Sequence, residues 1–377
     1  MRRIDPEAYR EKLAYLLASP NITQYRKRRR ETGIVKPSIF AGLQPRHMSP
    51  VPLCFVLDLM HLIALNLAEL LLPLWRGQLY TRRPDNHALW EWVTLKDETW
   101  TQHGADVASC TPYLPGSFDR PPRNPAEKIN SGYKAWEFLL YLYVLGPGVF
   151  RAVLEEKYWR HHCRLVFAVR VLLQRTITRK QLEEAHNQII KYCVEFEEIY
   201  YKRIPERLHF VRQSIHTLIH IAPETMRVGP GCLYTQWTLE RVIGDLGAEI
   251  RQPSQPYKNL SQRATRRAQV NALKAMIPDL DPEPAAPRGS QDIGDGYHLL
   301  TAHDDVKRLI SPEETKALVD YLNKEGEEVG ANWQPRISRW ARVQLPVGQI
   351  SRSYWKEGVK PLEKLRIARM VKVSDNV

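Results

Sequence analysis

A chain of 377 residues with 43% hydrophobic and 9% aromatic content can bury a real core, which excludes a wholly disordered protein. Its 55 Lys and Arg against 42 Asp and Glu leave a net charge of +13, an excess that favours nucleic acid ahead of a membrane surface as partner. The five cysteines (Cys54, Cys110, Cys163, Cys193, Cys232) are far apart and form no CxxC pair, so they suggest neither a disulfide framework nor a thiolate zinc finger, and a reducing compartment is expected.

Residues 1–47 form a basic N-terminal segment whose start, Met1-Arg2-Arg3-Ile4-Asp5, lacks the apolar stretch of a signal peptide. The run Arg26, Lys27, Arg28, Arg29, Arg30 reads as a nuclear import signal or a phosphate-binding patch, with plain solvated surface as the alternative. Val51 to Leu57 is an apolar run of strand length closed by Asp58. Met60, Ile63, Leu67, Leu70, Leu71 and Leu74 then recur at helical spacing up to the stop at Arg76-Gly77. Asp58, His61, Asn66 and Glu69 interrupt this apolar window, so it reads as a buried strand and helix and not a membrane span.

Residues 78–131, with Pro112, Pro115, Pro121, Pro122 and Pro125, predict irregular structure with at most short helices. Four helices follow: Lys134 to Leu145, broken by Gly146-Pro-Gly148; Val149 to Gln174; Thr178 to Arg203, starting at the cap-like Thr178 and Gln181; and Glu206 to Ile221. The stripe Tyr192, Phe196, Ile199, Tyr200 reads as helix core, and the adjacent His161 and His162 read as surface residues pointing apart. A helix from Tyr234 to Ile250 and a basic amphipathic helix over 258–277 come next. A Pro-rich linker from Asp279 to Arg288 leads to a hairpin over Arg339 to Arg352 turning near Val347-Gly348.

The block Asp58-Leu-Met-His61, with Asn66 and the ending Leu74-Trp75-Arg76-Gly77, resembles one found in transposases of basidiomycete fungi. These are the Plavaka and Kyakuja–Dileera–Zisupton group, relatives of the CACTA elements. Ser214-Ile-His216 with His220 is similar to that family's His-containing helix, and Trp237-Thr-Leu-Glu240-Arg241 with Gly244 to its Glu-Arg block. Gln255-Pro-Tyr257 with Leu260, Asp295-Gly-Tyr297 and Trp355-Lys-Glu with Lys360-Pro-Leu extend the resemblance over roughly residues 35–370. It implies an RNase H-like nuclease whose three carboxylates hold two Mg²⁺ ions, with Glu240 as the last of the three. The family's first strand and first acidic residue have no counterpart in this sequence, where Asp5 is the only Asp before Asp58. A catalytically incomplete protein is therefore expected.

Asp58 carries three readings: second catalytic carboxylate, zinc ligand, or helix cap. Asp58 and His61 share the start of a helix face at i and i+3, as His216 and His220 do at i and i+4. Two such pairs together suit a tetrahedral structural zinc site. The similarity to related families and to the V(D)J recombinase, which pair such residues around the later acidic positions, favours zinc. For Glu240 the alternative is a surface glutamate paired with Arg241 or Lys258. DNA phosphates are the expected contacts of Arg26 to Arg30 and of Arg263, Arg266, Arg267 and Lys274.

The expected fold is mainly α. A partial RNase H-like α/β core lies within 48–279, interrupted by a large helical insertion at 78–231, and a linker and small hairpin-bearing segment occupy 280–377. The expected function is that of a nuclear, DNA-binding remnant of a DDE-type transposase. The competing reading is a helical protein-interaction module with a structural zinc and no nucleic-acid role. Basic residues clustered on the face of Glu240 would favour the first.

Overall fold

The computed structural model describes residues 5–114, 120–250, 254–280, 286–330 and 333–353. Pro115, the centre of the Pro-rich linker and the motif from Trp355 to Leu362 lie outside them. Helix outweighs strand, 59% to 7%, so the chain is mainly α as its 3.6-residue patterning predicts. No described helix is long and apolar enough to cross a membrane.

In chain order the helices are α1 (Pro6–Leu17), α2 (Ile22–Thr32), α3 (Ala68–Trp75), α4 (Asp97–Ser109), α5 (Pro125–Lys128), α6 (Ala135–Leu139), α7 (Gly146–Val149), α8 (Glu156–Leu172), α9 (Arg179–Phe196), α10 (Gln213–Leu218), α11 (Ile221–Val228), α12 (Trp237–Glu249), α13 (Pro256–Met276) and α14 (Pro312–Lys324). Wider π-helical turns at Met60–Asn66, Leu140–Leu145 and Glu197–Tyr201 precede α3, link α6 to α7 and extend α9. The strands are β1 (Gln291–Asp292), β2 (His298–Leu299), β3 (His303–Leu309), β4 (Arg336–Trp340), β5 (Arg342–Gln344) and β6 (Ile350–Arg352).

The chain forms two compact units, Met1–Leu67 with Cys163–Gln236, and Ala68–His162 with Trp237–Val377. The first opens with a helical hairpin. Asp5 caps α1 through Glu7 N–H at 2.9 Å, and Asn21 caps α2 through Gln24 N–H at 2.9 Å. Gly33, at φ 73°, supplies the left-handed residue that closes α2. In the same unit α9 turns Leu182, Ala185, Ile189, Tyr192 and Phe196 inward at three- and four-residue spacing. Tyr192, Phe196 and Tyr200 are fully buried, so the aromatic stripe is core, and Thr178 and Gln181 form the capping box read from the sequence.

Three expectations for residues 48–279 need correction. Val51 to Leu57 is a turn and an irregular stretch, not a strand. Pro50 and Pro52 donate no backbone hydrogen bond, and Cys54 N–H and Phe55 N–H turn back onto Pro50 and Pro52 carbonyls. No strand occurs among the described residues of 48–279, so the RNase H-like sheet expected there is not found. The helix expected over Glu206 to Ile221 is divided into a 3₁₀ turn at Pro205–Phe210, then α10 and α11. Pro223 explains the second break, because it has no N–H to donate to Ile219 and cannot lie inside a helix continuing from α10.

In the second unit α3 buries Leu70, Leu71, Leu72, Leu74 and Trp75, and stops at Gly77 with φ 65°, as the sequence predicts. The stretch 78–131 is more ordered than expected, because it holds the 13-residue α4. A Cβ added at Gly104 would stand 2.2 Å from Asn124 Oδ1, which is how α5 packs so closely on α4. Gly146-Pro-Gly148 does not break the helix ahead of it. Pro147 lies in the helical run that continues from the π-helical turn, and the chain leaves the helix only at Phe150. His161 and His162 are buried, at 2% and 1% exposure, not on the surface. Adjacent helical residues are about 100° apart, and the buried arc of α8 is wide enough to hold both. His162 stands edge-on to Trp75 and Phe150, with Nε2 2.9 Å from the Leu142 carbonyl.

β1, β2, β5 and β6 form one antiparallel sheet in that order, and β3 and β4 form another. The β5–β6 pairing, with Gln344 opposite Ile350, is the hairpin that the alternation around Val347-Gly348 predicts.

Candidate functional site

Asp58 stands at the start of the π-helical turn in the first unit, and its carboxylate is fully engaged. One oxygen accepts from Met60 N–H at 3.3 Å and from Gln236 N–H at 2.9 Å. The other accepts from His61 N–H at 2.9 Å and lies 2.5 Å from His61 Nδ1. A carboxylate has about four lone-pair positions, and these contacts fill them. Burial raises the Asp58 pKa, but the hydrogen bonds from Gln236 and from His61 outweigh it, so the group lies below its ordinary value. As placed, Asp58 caps the turn and orients His61. It holds His61 with Nδ1 as the donor, which leaves Nε2 of this partly exposed ring as the free acceptor.

His216 on α10 and His220 at the start of α11 face each other, with Nε2 atoms 3.1 Å apart and rings tilted at 73°. Two nitrogens bound to one tetrahedral zinc at about 2.0–2.1 Å would stand roughly 3.3 Å apart. The pair therefore has the spacing of two ligands to one ion. Burial, then neighbouring His216, lowers the His220 pKa, while Glu224 raises it; the net shift is downward and favours the neutral, ligating imidazole. α10 packs on the turn that carries His61. Among the described residues, however, no three His, Cys, Asp or Glu side chains converge closely enough to share an ion. The structure thus forms both predicted pairs without joining them in one four-ligand cluster.

Glu240 lies in the first turn of α12, in the second unit, exposed and without the ion pair to Arg241 or Lys258 considered from the sequence. α13 packs on α12, where Arg267 reaches Glu249 at 2.8 Å and Asp245 at 3.5 Å, and Arg263 reaches Glu249 at 3.5 Å. Asp245 and Glu249 lie about 140° and 180° around the helix from Glu240. The arginines of α13 are therefore gathered on the far side of α12 from Glu240. Arg266 has no ion pair among the described residues and lines a shallow concavity with Val270, Asn271 and Lys274.

The run Arg26 to Arg30 is divided by its helix. Arg28 donates to the Tyr15 carbonyl at 2.6 Å and lies over the Tyr15 ring at 4.2 Å, binding α2 to α1. Lys27 lies 3.9 Å from Glu31. Arg26, Arg29 and Arg30, at i, i+3 and i+4, share another face, exposed and without ion pairs among the described residues, and they line an open concavity with Val35. What sequence reading missed is the Gln236 N–H on Asp58, a contact 178 residues away that no local pattern announces. No family model matches this chain, and neither a curated protein nor a solved structure matches it.

Proposed function

We propose that the chain is a transposable-element-derived protein of the fungal Plavaka and Kyakuja–Dileera–Zisupton type, acting in the nucleus by gripping the DNA backbone without cutting it. The observation that carries this reading is the α2 face, where Arg26, Arg29 and Arg30 stand exposed with no ion pair among the described residues. Free guanidiniums at helical spacing suit successive phosphates, and such contacts give affinity with little sequence preference. Among the described residues, 48–279 contributes helices and no strand to the RNase H-like core that the resemblance implies. Glu240 alone cannot organise two Mg²⁺ ions, and the saturated oxygens of Asp58 leave it a poor second ligand.

The metal on this reading is a structural zinc held by His216, His220 and His61 Nε2, with Asp58 orienting His61 instead of ligating. That assignment changes the role of Asp58 from ligand to support and needs the two pairs to close together on the ion.

The pairing of the α13 arginines with α12 carboxylates, away from Glu240, favours the second reading of a helical interaction module. Anisotropy of the full chain on duplex DNA across a salt series separates the two. Binding at low salt that falls steeply toward physiological salt supports the first, and no binding at low salt leaves only the second. A supercoiled-plasmid assay with Mg²⁺ or Mn²⁺ is expected to show no nicking. Nicking that Glu240→Gln abolishes would instead establish a working nuclease. Zinc content by mass spectrometry is expected to fall in His216→Ala, and a parent chain purified without zinc would remove the metal site.

A further inference from the structure

The two small sheets differ in what stands opposite their strand arginines. In the β3–β4 sheet Arg308 Nε donates to Asp304 at 2.8 Å, Asp304 stands opposite Arg339, and Arg339 lies 4.0 Å from Glu314. Arg336 stands opposite Leu309 there, so no two arginines face each other among the described pairs of that sheet. In the β5–β6 hairpin Arg342 stands directly opposite Arg352, and neither has an ion pair among the described residues.

The ladder fixes how close those two side chains come. Ser353 N–H donates to Ala341 O at 2.9 Å and Leu345 N–H donates to Gln349 O at 2.7 Å, so pairs 341–353 and 345–349 are hydrogen-bonded. Antiparallel pairs alternate, which makes 342–352 a non-hydrogen-bonded pair, with Cα atoms about 4.5 Å apart and side chains at their closest. The same alternation sets Gln344, and His298 across from it on β2, on the face of Arg342 and Arg352, while Val343, Leu299 and Ser351 take the other. Both arginines are half-buried, so water screens their repulsion incompletely.

Like charges directly opposite in a sheet destabilise it. One tetrahedral anion between the two guanidiniums removes that repulsion and accepts hydrogen bonds from both forks. We infer that Arg342 and Arg352 form a clamp for a phosphate of the DNA backbone, making the hairpin a contact additional to α2. The choice of a DNA phosphate over an isolated one follows from the +13 charge and the free arginines of α2, and it rests on the DNA-binding reading above. Gln344 and His298 supply further donors on the same face.

The test compares the full chain with its Arg342→Gln/Arg352→Gln double variant on duplex DNA, between about 50 and 200 mM salt. One lost phosphate contact lowers the log–log salt slope by about 0.9, so over that range the parent loses roughly threefold more affinity than the variant. Without DNA the variant is expected to melt at the parent's temperature or higher, because only a repulsion has been removed. An unchanged slope overturns the clamp, and so does a variant that melts lower, since the arginines would then be holding the sheet. If the parent binds and the variant matches it, only the clamp fails. If the parent does not bind at the lowest salt, the DNA-binding reading fails and this occupant fails with it.

Discussion

The segment from residue 59 to 225 and the segment from 237 to 353 handle polar groups in opposite ways. In the first, Glu137, His103, His161, His162 and Arg207 are buried among aromatic and aliphatic side chains. In the second, Leu300 and Ala341 are the buried hydrophobic residues among those described, and the charges lie at or near the surface. A buried charge must be matched inside the fold, so its partner is part of the architecture. An exposed arginine without a carboxylate is under no such constraint and remains available to a ligand. The comparison teaches that a basic run is informative only after the pairs within it have been removed, as Arg28 and Arg267 show.

The largest expected effect tests the buried side. Glu137 has a fully buried side chain and accepts from Arg123 Nε at 2.7 Å, Arg123 Nη2 at 2.8 Å and Lys134 N–H at 3.0 Å. Burial raises its pKa, but the bonds from Arg123 and from the backbone N–H groups of Lys134 and Arg123 outweigh it, so the carboxyl lies below its ordinary value. Glu137→Ala is expected to destabilise the fold by about 1–3 kcal/mol, read by urea denaturation, because it removes the acceptor of several bonds while Arg123 keeps access to water. A loss below about 1 kcal/mol would show that the pair is not structural.

The next effect is the response to acid. Burial pulls His103 and His162 down to about 4, from the ordinary 6.5, as they flank Phe150 at ring distances of 5.0 and 5.2 Å. With folded values below unfolded ones, protons bind the unfolded chain more tightly. The stability these groups contribute is fully present above about 6.5 and is lost as pH falls from there through about 4. Denaturation midpoints should fall across that window, and His103→Gln or His162→Gln should flatten the fall. Equal slopes in parent and variants would assign the acid response to other groups.

A smaller effect sharpens the exposed side. Replacing Arg26, Arg29 and Arg30 together by Gln should lower the salt slope of DNA binding by about 3, while Arg267→Gln should leave it nearly unchanged because Glu249 and Asp245 already hold that guanidinium. Equal losses would mean that ion pairing within the protein does not decide availability. The smallest change is Arg28→Gln. It should cost about 0.5–1 kcal/mol through the Tyr15 contact and leave the DNA slope unchanged, although Arg28 lies within the same basic run.

Much of the helical layout was legible because the signals are local. The Thr178–Gln181 capping box, the Gly77 stop, the α9 stripe and the β5–β6 turn each depend on residues a few positions apart. Three misreadings share a different cause. Val51 to Leu57 has the composition of a strand, but a strand also needs a neighbouring ladder, and the prolines at 50 and 52 favour a turn. His161 and His162 look polar in sequence, yet the width of the buried arc of α8 depends on what packs against it. Gly146-Pro-Gly148 has the composition of a break, but the chain passes from the wider π-helical turn into it and stays helical to Val149.

For the candidate site, the sequence by itself determined the pair spacings, because i and i+3 or i+4 on a helix must share a face. That was enough to bring His61 to Asp58, whereas His216 and His220 meet across the junction of α10 and α11. It also determined the charge and the alternation of the hairpin, while the register that sets Arg342 opposite Arg352 came from the pairing. Only the tertiary structure decided what each group is free to do. Gln236 N–H arrives at Asp58 from far along the chain and helps to fill its oxygens, Tyr15 takes Arg28, and Glu249 takes Arg267. Hydrogen-bonding capacity is finite at every carboxylate and guanidinium, and which partner takes it up is set by the packing of distant segments, which no local spacing records.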